Sequence, residues 1–254
     1  MLPTPSTSHI CFDRVYEPAE DSFLILDTLS SPSESSFLRS RFNEPSSTPP
    51  LVLEVGVGSG VVLAFAAANA SAIFGRNDLL TLGTDINSFA CQAASQTIST
   101  ALKDQGRQGS MYLDIVNGDL ASSIRPHSVD ILIFNPPYVP AELPDFSRHD
   151  LFNALPEGQK TTSFDQDSYL LELSYAGGVD GMIVTDRMLD QIPQTLDLER
   201  GVAYVLLCAQ NKPEEVKRRI RDWGTGWRAE TVGSSGKQAG WEKLQIVRIW
   251  KTTL

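Results

Sequence analysis

The sequence predicts an α/β protein with a mostly parallel seven-stranded sheet, an antiparallel C-terminal hairpin and helices on both faces. Three observations lead there. Strand-like and helix-like hydrophobic patterns alternate between residues 51 and 134, which calls for parallel strands joined by right-handed helical crossovers. A glycine-rich turn, "GVGSG", separates the first strand pattern from the first long helix pattern. Two alternating strand patterns near the C-terminus are linked by "GSSGKQAG" (233–240), a Gly/Ser connection suited to an antiparallel pair.

The elements follow in order. In "YEPAEDS" Pro18 suits a first helical turn, and Glu20 and Asp21 suit a helix N-terminus. The stretch 31–50 is crowded with Ser and Pro and shows no sustained period, so it is expected to be a flexible connection. "LVLEV" (51–55) reads as a strand, 60–74 as a helix, "LLTLGTD" (79–85) as a strand and 87–102 as a helix. "MYLDIV" (111–116) and "DILIF" (130–134) continue the series. A helix within 180–196 then leads to the strand "VAYVLLCA" (202–209) and to a helix over 213–223 with proline at its first turn. The strands "WRAETV" (227–232) and "EKLQIVRIW" (242–250) close the chain. One domain is expected over 1–254, with 1–14 as an N-terminal tail.

Composition narrows the function classes. A hydrophobic content of 41% is ordinary for a globular core. No run of about 18 apolar residues exists, and the first residues lack a basic flank with an apolar stretch behind it. The protein is expected to be soluble, in the cytoplasm or nucleus, with no membrane contact. Cys11, Cys91 and Cys208 are widely spaced, as are His9, His127 and His149, so neither a disulfide framework nor a metal site is expected. A formal charge of −10 opposes unaided approach to a phosphate backbone, so no direct nucleic-acid contact is expected.

Two motifs carry chemistry. In "ILIFNPPYVP" (131–140) the apolar run ends because Pro136 and Pro137 cannot donate ladder hydrogen bonds. Asn135 therefore sits at a strand's carboxyl end, on the rim where ligands bind in open α/β sheets; the other reading is a proline-stiffened loop. In "LEVGVGSG" (53–60) glycines 56, 58 and 60 follow a strand, but Val61 stands where a dinucleotide-binding pattern needs glycine, and no P-loop is present. Glu54, Asp85 and Asp119 end successive strand patterns. Singly each is a cap or a turn residue. Together they line one rim, favouring ribose hydroxyls and amines over phosphates, a selection that S-adenosylmethionine satisfies.

Taken in order, "YEPAEDS", "LEVGVGSG", "TDIN", "GDL", "NPPYVP" and "AGGVDG" resemble the class I methyltransferases with a Rossmann-like sheet. Within them they resemble the HemK-like family, which methylates the side-chain nitrogen of glutamine in release factors. "NPPY" is shared with adenine-N6 methyltransferases, whereas its combination with "YEPAEDS" looks like the eukaryotic and archaeal branch. The resemblance implies that Glu54 and Gly56 border the methionine part of S-adenosylmethionine, that Asp85 meets the ribose, that Asp119 and Leu120 meet the adenine, that Ser22 helps to close the site, and that Gly58 and Asn135 also contact the cofactor. S-adenosylhomocysteine is the implied product. It also implies that Asn135 and the Pro136 carbonyl accept the N–H bonds of the target amide, with Pro137 and Tyr138 lining the acceptor.

The family's bacterial members carry a helical recognition domain ahead of this region; with almost nothing before "YEPAEDS" here, recognition is expected to be supplied by something else. The eukaryotic relatives use a small zinc-binding activator protein instead, paired with the sheet edge beside the third strand. "SMYLDIV" (110–116) is either such an edge or core. The stretch 141–181 is longer than the usual link; its first part, 141–167, is a lid or docking surface, or an insertion without function. The expected reaction is N5-methylation of the glutamine in the Gly-Gly-Gln loop of a eukaryotic class 1 release factor. Adenine-N6 or histone lysine methylation stands as the alternative.

Overall fold

A computed structural model describes residues 2–42, 48–104, 106, 110–155, 161–236 and 243–252. Helix α1 (Glu20–Ser30) begins behind Pro18 with Glu20 and Asp21 in its first turn, where carboxylates complement the helix dipole. The segment expected to be flexible instead continues as α2 (Pro32–Phe42). Pro32 occupies a first helical position and the Ser31 hydroxyl accepts the Glu34 N–H at 3.3 Å, which together make a good helix start. The rest of that expected connection, 43–47, lies outside the described residues.

The crossover elements follow: β1 (Leu51–Val55), α3 (Val61–Ala68), α4 (Ala70–Phe74), β2 (Leu80–Asp85), α5 (Ser88–Asp104), β3 (Met111–Asn117) and β4 (Ile131–Phe134). The single helix expected over 60–74 is broken at Asn69, whose side chain donates back to the Phe65 carbonyl at 2.9 Å. The expected loop after 140 is partly helical too, with α6 (His149–Phe152) and α7 (Phe164–Tyr175). Ser163 caps α7 by accepting the Gln166 N–H at 3.2 Å. Then come α8 (Ile183–Thr195), β5 (Val202–Cys208), α9 (Pro213–Arg221), β6 (Trp227–Ser234) and β7 (Leu244–Lys251). The link at 237–242 lies outside the described residues.

The seven strands form one sheet in the order β3-β2-β1-β4-β5-β7-β6. Pairing is parallel from β3 to β5 and antiparallel where β7 enters between β5 and β6, as expected. Both faces of the central strands are buried. Along β5, Tyr204 and Leu206 join the cluster that holds Leu29, Leu38 and Phe42, while Val205 and Leu207 join the cluster that holds Met188 and Ile192. That two-sided burial is why the central strands read as continuous apolar runs. Among the described residues, no helix is long and apolar enough to cross a membrane.

Helix α2 has little apolar periodicity; besides buried Leu38 and Phe42, an ion pair attaches it to the sheet. Glu34, 2% exposed, accepts from Arg248 of β7 at 2.8 and 2.9 Å and from the Tyr204 hydroxyl at 2.9 Å. The Arg248 guanidinium also lies 3.8 Å from the centroid of the Phe37 ring. Burial, with the Glu34 charge behind it, holds the Tyr204 phenol well above its usual range. Removing one partner of such a pair strands a buried charge. Glu34→Ala is expected to cost about 3 kcal/mol of stability, and the Glu34→Ala/Arg248→Met double variant less than that. Urea midpoints of the two variants check the order; equal losses refute it.

Candidate active site

The strand order reverses at β1, with β2 and β3 on one side and β4 on the other. The connections leaving β1 and β4 therefore depart to opposite faces and open a crevice at their carboxyl ends, the usual ligand position in such sheets. The cleft found there holds about 1160 Å³ of empty space, part of it open to solvent, and is lined from both loops.

One wall is the glycine loop after β1. The Gly56 and Val57 N–H groups both donate to the Thr84 carbonyl, at 2.8 and 3.2 Å. Gly60 precedes α3 with φ +76°, and a Cβ there would lie 2.6 Å from the Ala94 Cα of α5. The third glycine thus serves the close packing of α3 on α5.

Two buried carboxylates stand behind this loop. Glu54 accepts the Leu63 N–H at 2.8 Å, tying it to the first turn of α3. Burial raises its carboxyl well above the ordinary range; the Leu63 bond opposes the shift and the Asp85 charge adds to it. Asp85 accepts the Gly58 N–H at 2.9 Å and the Asn87 N–H at 2.8 Å. Burial pushes Asp85 up to about 6 against those backbone bonds. Each carboxylate retains lone pairs for further donors, so the pair favours a ligand with hydroxyls or positive charge and disfavours an anion.

The opposite wall starts at Asn135. Its side-chain nitrogen donates to Asp21 Oδ2 at 3.1 Å, and Asp21 Oδ1 accepts the Ser22 N–H at 2.6 Å. The carboxylate accepts only, so it fixes which end of the Asn135 amide faces it. Asn135 Oδ1 is buried with no hydrogen-bond partner among the described residues. A buried acceptor left empty is costly unless a ligand fills it, and here it belongs to a residue that lines the cleft.

The structure brings together most of the residues singled out from the sequence. Ser22, Glu54, Gly56, Gly58, Asp85, Asp119, Leu120, Asn135, Pro136 and Pro137 all line the cleft. Asp119 pairs with Arg187 of α8 at its rim. Arg187 is the only Lys or Arg among the described lining residues, so no unpaired cation there invites a phosphate. Tyr138 lies elsewhere: it lines a smaller neighbouring cavity with Val139, Pro140 and Cys208.

Sequence reasoning missed Asp21 as a partner of Asn135, and it missed Arg187. The stretch 141–175 supplies part of the cleft wall through Leu143, Pro144, Phe146, Leu170 and Leu173. That wall is anchored: Asn153 Oδ1 accepts the Ser88 N–H at 2.7 Å, and its amide donates to Asn117 Oδ1 at 3.2 Å. Arg14 faces Asp167 of α7 at 3.6 Å and lies over the Phe89 ring. The signal that could have revealed this wall is Ser163 with Gln166, a helix-start pair hidden in a polar stretch.

No protein-family model matches the chain. It is 31% identical over 255 residues to human methyltransferase HEMK2, covering 98% of this chain and 97% of that protein. The mouse methyltransferase HEMK2 is 33% identical over 257 residues, covering 99% and 98%. The eRF1 methyltransferase catalytic subunit mtq2 of Schizosaccharomyces pombe is 31% identical over 255 residues, covering 99% and 96%. With near-complete coverage on both sides, the chain belongs to the HemK-like methyltransferases, in the family of HEMK2 and mtq2.

Proposed function

We propose that this protein transfers a methyl group from S-adenosylmethionine to the side-chain nitrogen of the glutamine in the Gly-Gly-Gln loop of a eukaryotic class 1 release factor. The observation that carries the reading is the empty, buried Asn135 Oδ1 beside Asp21. An acceptor oriented in this way suits a planar group that brings its own N–H, as a carboxamide does. The fission yeast relative is an eRF1 methyltransferase, which supports the substrate.

The residues of the cleft fit the cofactor. Gly56 and Gly58 provide a backbone wall without side chains, Asp85 and Glu54 present lone pairs to hydroxyl and amino groups, and Leu120 offers an apolar surface beside the rim pair of Asp119 and Arg187. When bound, S-adenosylmethionine supplies a methyl group on a positively charged sulfur. A carboxamide nitrogen is a weak nucleophile, because its lone pair is delocalised into the carbonyl. Asn135 Oδ1 accepts one N–H of that amide and the Pro136 carbonyl the other, which holds the nitrogen in place and stabilises positive charge as it develops there. Asp21 is a positioning residue, keeping the Asn135 oxygen turned to the acceptor. No strong general base is required, because the N-methylated amide, while it carries the positive charge, is strongly acidic and gives its extra proton to water.

A second subunit fits the free edge of the sheet. Among the described strands β3 pairs only with β2, and Met111 and Leu113 on it are 58% and 45% exposed. An uncovered apolar edge invites strand addition, and a small zinc-binding activator is the partner assigned to it here. The fission yeast relative's name, catalytic subunit, is consistent with a companion chain.

Labelled methyl is expected to reach the release factor and not its Gln→Ala variant. Asn135→Ala should keep cofactor affinity and lose at least about 100-fold in turnover; full turnover would refute the role of Asn135. The cofactor's hydroxyl donors need ionised Asp85, whose pKa is raised to about 6, so cofactor affinity should fall as pH drops through that value. Asp85→Asn should flatten the profile, and calorimetric titrations at pH 7.5 and pH 5.5 compare the two. Met111→Glu with Leu113→Lys should abolish co-purification with the activator while leaving the isolated chain's cofactor affinity intact; undiminished co-purification would place the partner elsewhere.

A further inference from the structure

We infer that Asn211, with Gly177 and Gly181, is a positioning clamp that fixes the second half of the Asn-Pro-Pro-Tyr turn from outside the cleft. The inference rests on the acceptor role proposed for that turn. Asn211 lies just beyond β5 and is 2% exposed. Its Oδ1 accepts the Cys208 N–H at 2.8 Å, which sets the side chain on the end of the strand. Its amide nitrogen is shared among three carbonyls: Asp180 at 3.0 Å, Gly181 at 3.3 Å and Tyr138 at 3.4 Å. One side chain thus joins the end of β5, the turn before α8 and the residue that ends the Asn-Pro-Pro-Tyr motif.

The backbone completes the grip. Val139 donates to the Tyr175 carbonyl at 3.0 Å, its carbonyl accepts the Gly177 N–H at 2.8 Å, and the Gly178 N–H reaches Ala141 at 2.9 Å. A Cβ at Gly177 would overlap the Pro137 carbonyl oxygen, and one at Gly181, where φ is +66°, would overlap that of Tyr138. Both positions exclude a side chain because the turn lies directly on them. With the carbonyls of 137 and 138 pressed against this platform, residues 135 and 136 have little freedom to swing. None of the clamp residues lines the cleft, so this contribution is to the placement of the acceptor amide and leaves cofactor binding untouched.

The test compares Asn211→Asp and Gly181→Ala with Gly201→Ala. Asn211→Asp preserves shape and the bond from Cys208, but replaces the donor with an oxygen facing three carbonyls. Gly201→Ala puts a Cβ 2.5 Å from the Asp197 carbonyl at the far end of β5, so it reports the cost of a comparable clash away from the turn. Both clamp variants should lose about 100-fold in kcat for methyl transfer to the release factor. They should keep cofactor affinity and show faster hydrogen exchange at the Val139 N–H. Gly201→Ala should lose stability with neither effect. Unchanged Val139 exchange, full kcat in the clamp variants, or an equal kcat loss in Gly201→Ala overturns the clamp. If the wild-type protein labels no release factor, the substrate reading fails, and Val139 exchange still decides the clamp by itself.

Discussion

Everything functional in this protein hangs on one constraint, the reversal of strand order at β1. Because the chain proceeds from β1 to β2 on one side and from β4 to β5 on the other, right-handed crossovers leave β1 and β4 toward opposite faces, and neither connection covers the gap between them. The gap is lined by the backbone of the glycine loop on one side and by Asn135 on the other. Strand length reinforces the effect. Four buried residues of β4 run straight into two prolines, so the strand stops where Asn135 is level with the loop after Val55.

Two kinds of buried charge coexist, and they do opposite jobs. Glu34 and Arg248 neutralise each other across 214 residues of sequence and fasten a weakly amphipathic helix to the sheet. Among the described residues Glu54 and Asp85 have no cationic partner; backbone N–H groups satisfy them in part, and burial raises both. Holding carboxylates in that condition opposes stability, since the charged form is disfavoured by burial. The same condition makes them responsive to a ligand that brings hydrogen-bond donors or positive charge. The empty oxygen of Asn135 belongs to the same pattern: an unmet polar group at the place where binding would meet it.

The two halves of the site are supported differently. The cofactor half is braced from below, with Asp85 linking Gly58 to Asn87 and Gly60 admitting the close approach of α5. The acceptor half is braced from the side, by Asp21 of α1 and by the turn at 175–181. The stretch after 141 adds a wall across the opening, anchored by Asn153 to the starts and ends of neighbouring elements. Separate bracing lets changes in acceptor geometry occur without disturbing the pocket for the methyl donor.

The sequence by itself determined the class of fold, the strand sequence, the glycine loop and the placement of Asn135 at a strand end, because each follows from local rules of periodicity, turn chemistry and proline's missing donor. It also assembled the rim residues into one set, since strand ends in a parallel sheet share a side. Only the tertiary structure decided that 32–42 and 164–175 are helices. Their start signals, Ser31-Pro32 and Ser163 with Gln166, are local, but what holds them in place is Arg248, Arg14 and Phe89, far away in the chain. It likewise decided that Asp21 meets Asn135, that Asp119 meets Arg187 and that Tyr138 lines the neighbouring smaller cavity. Partners separated by 114 and 68 residues leave no mark in local pattern; they come together only when the sheet brings their elements to one edge.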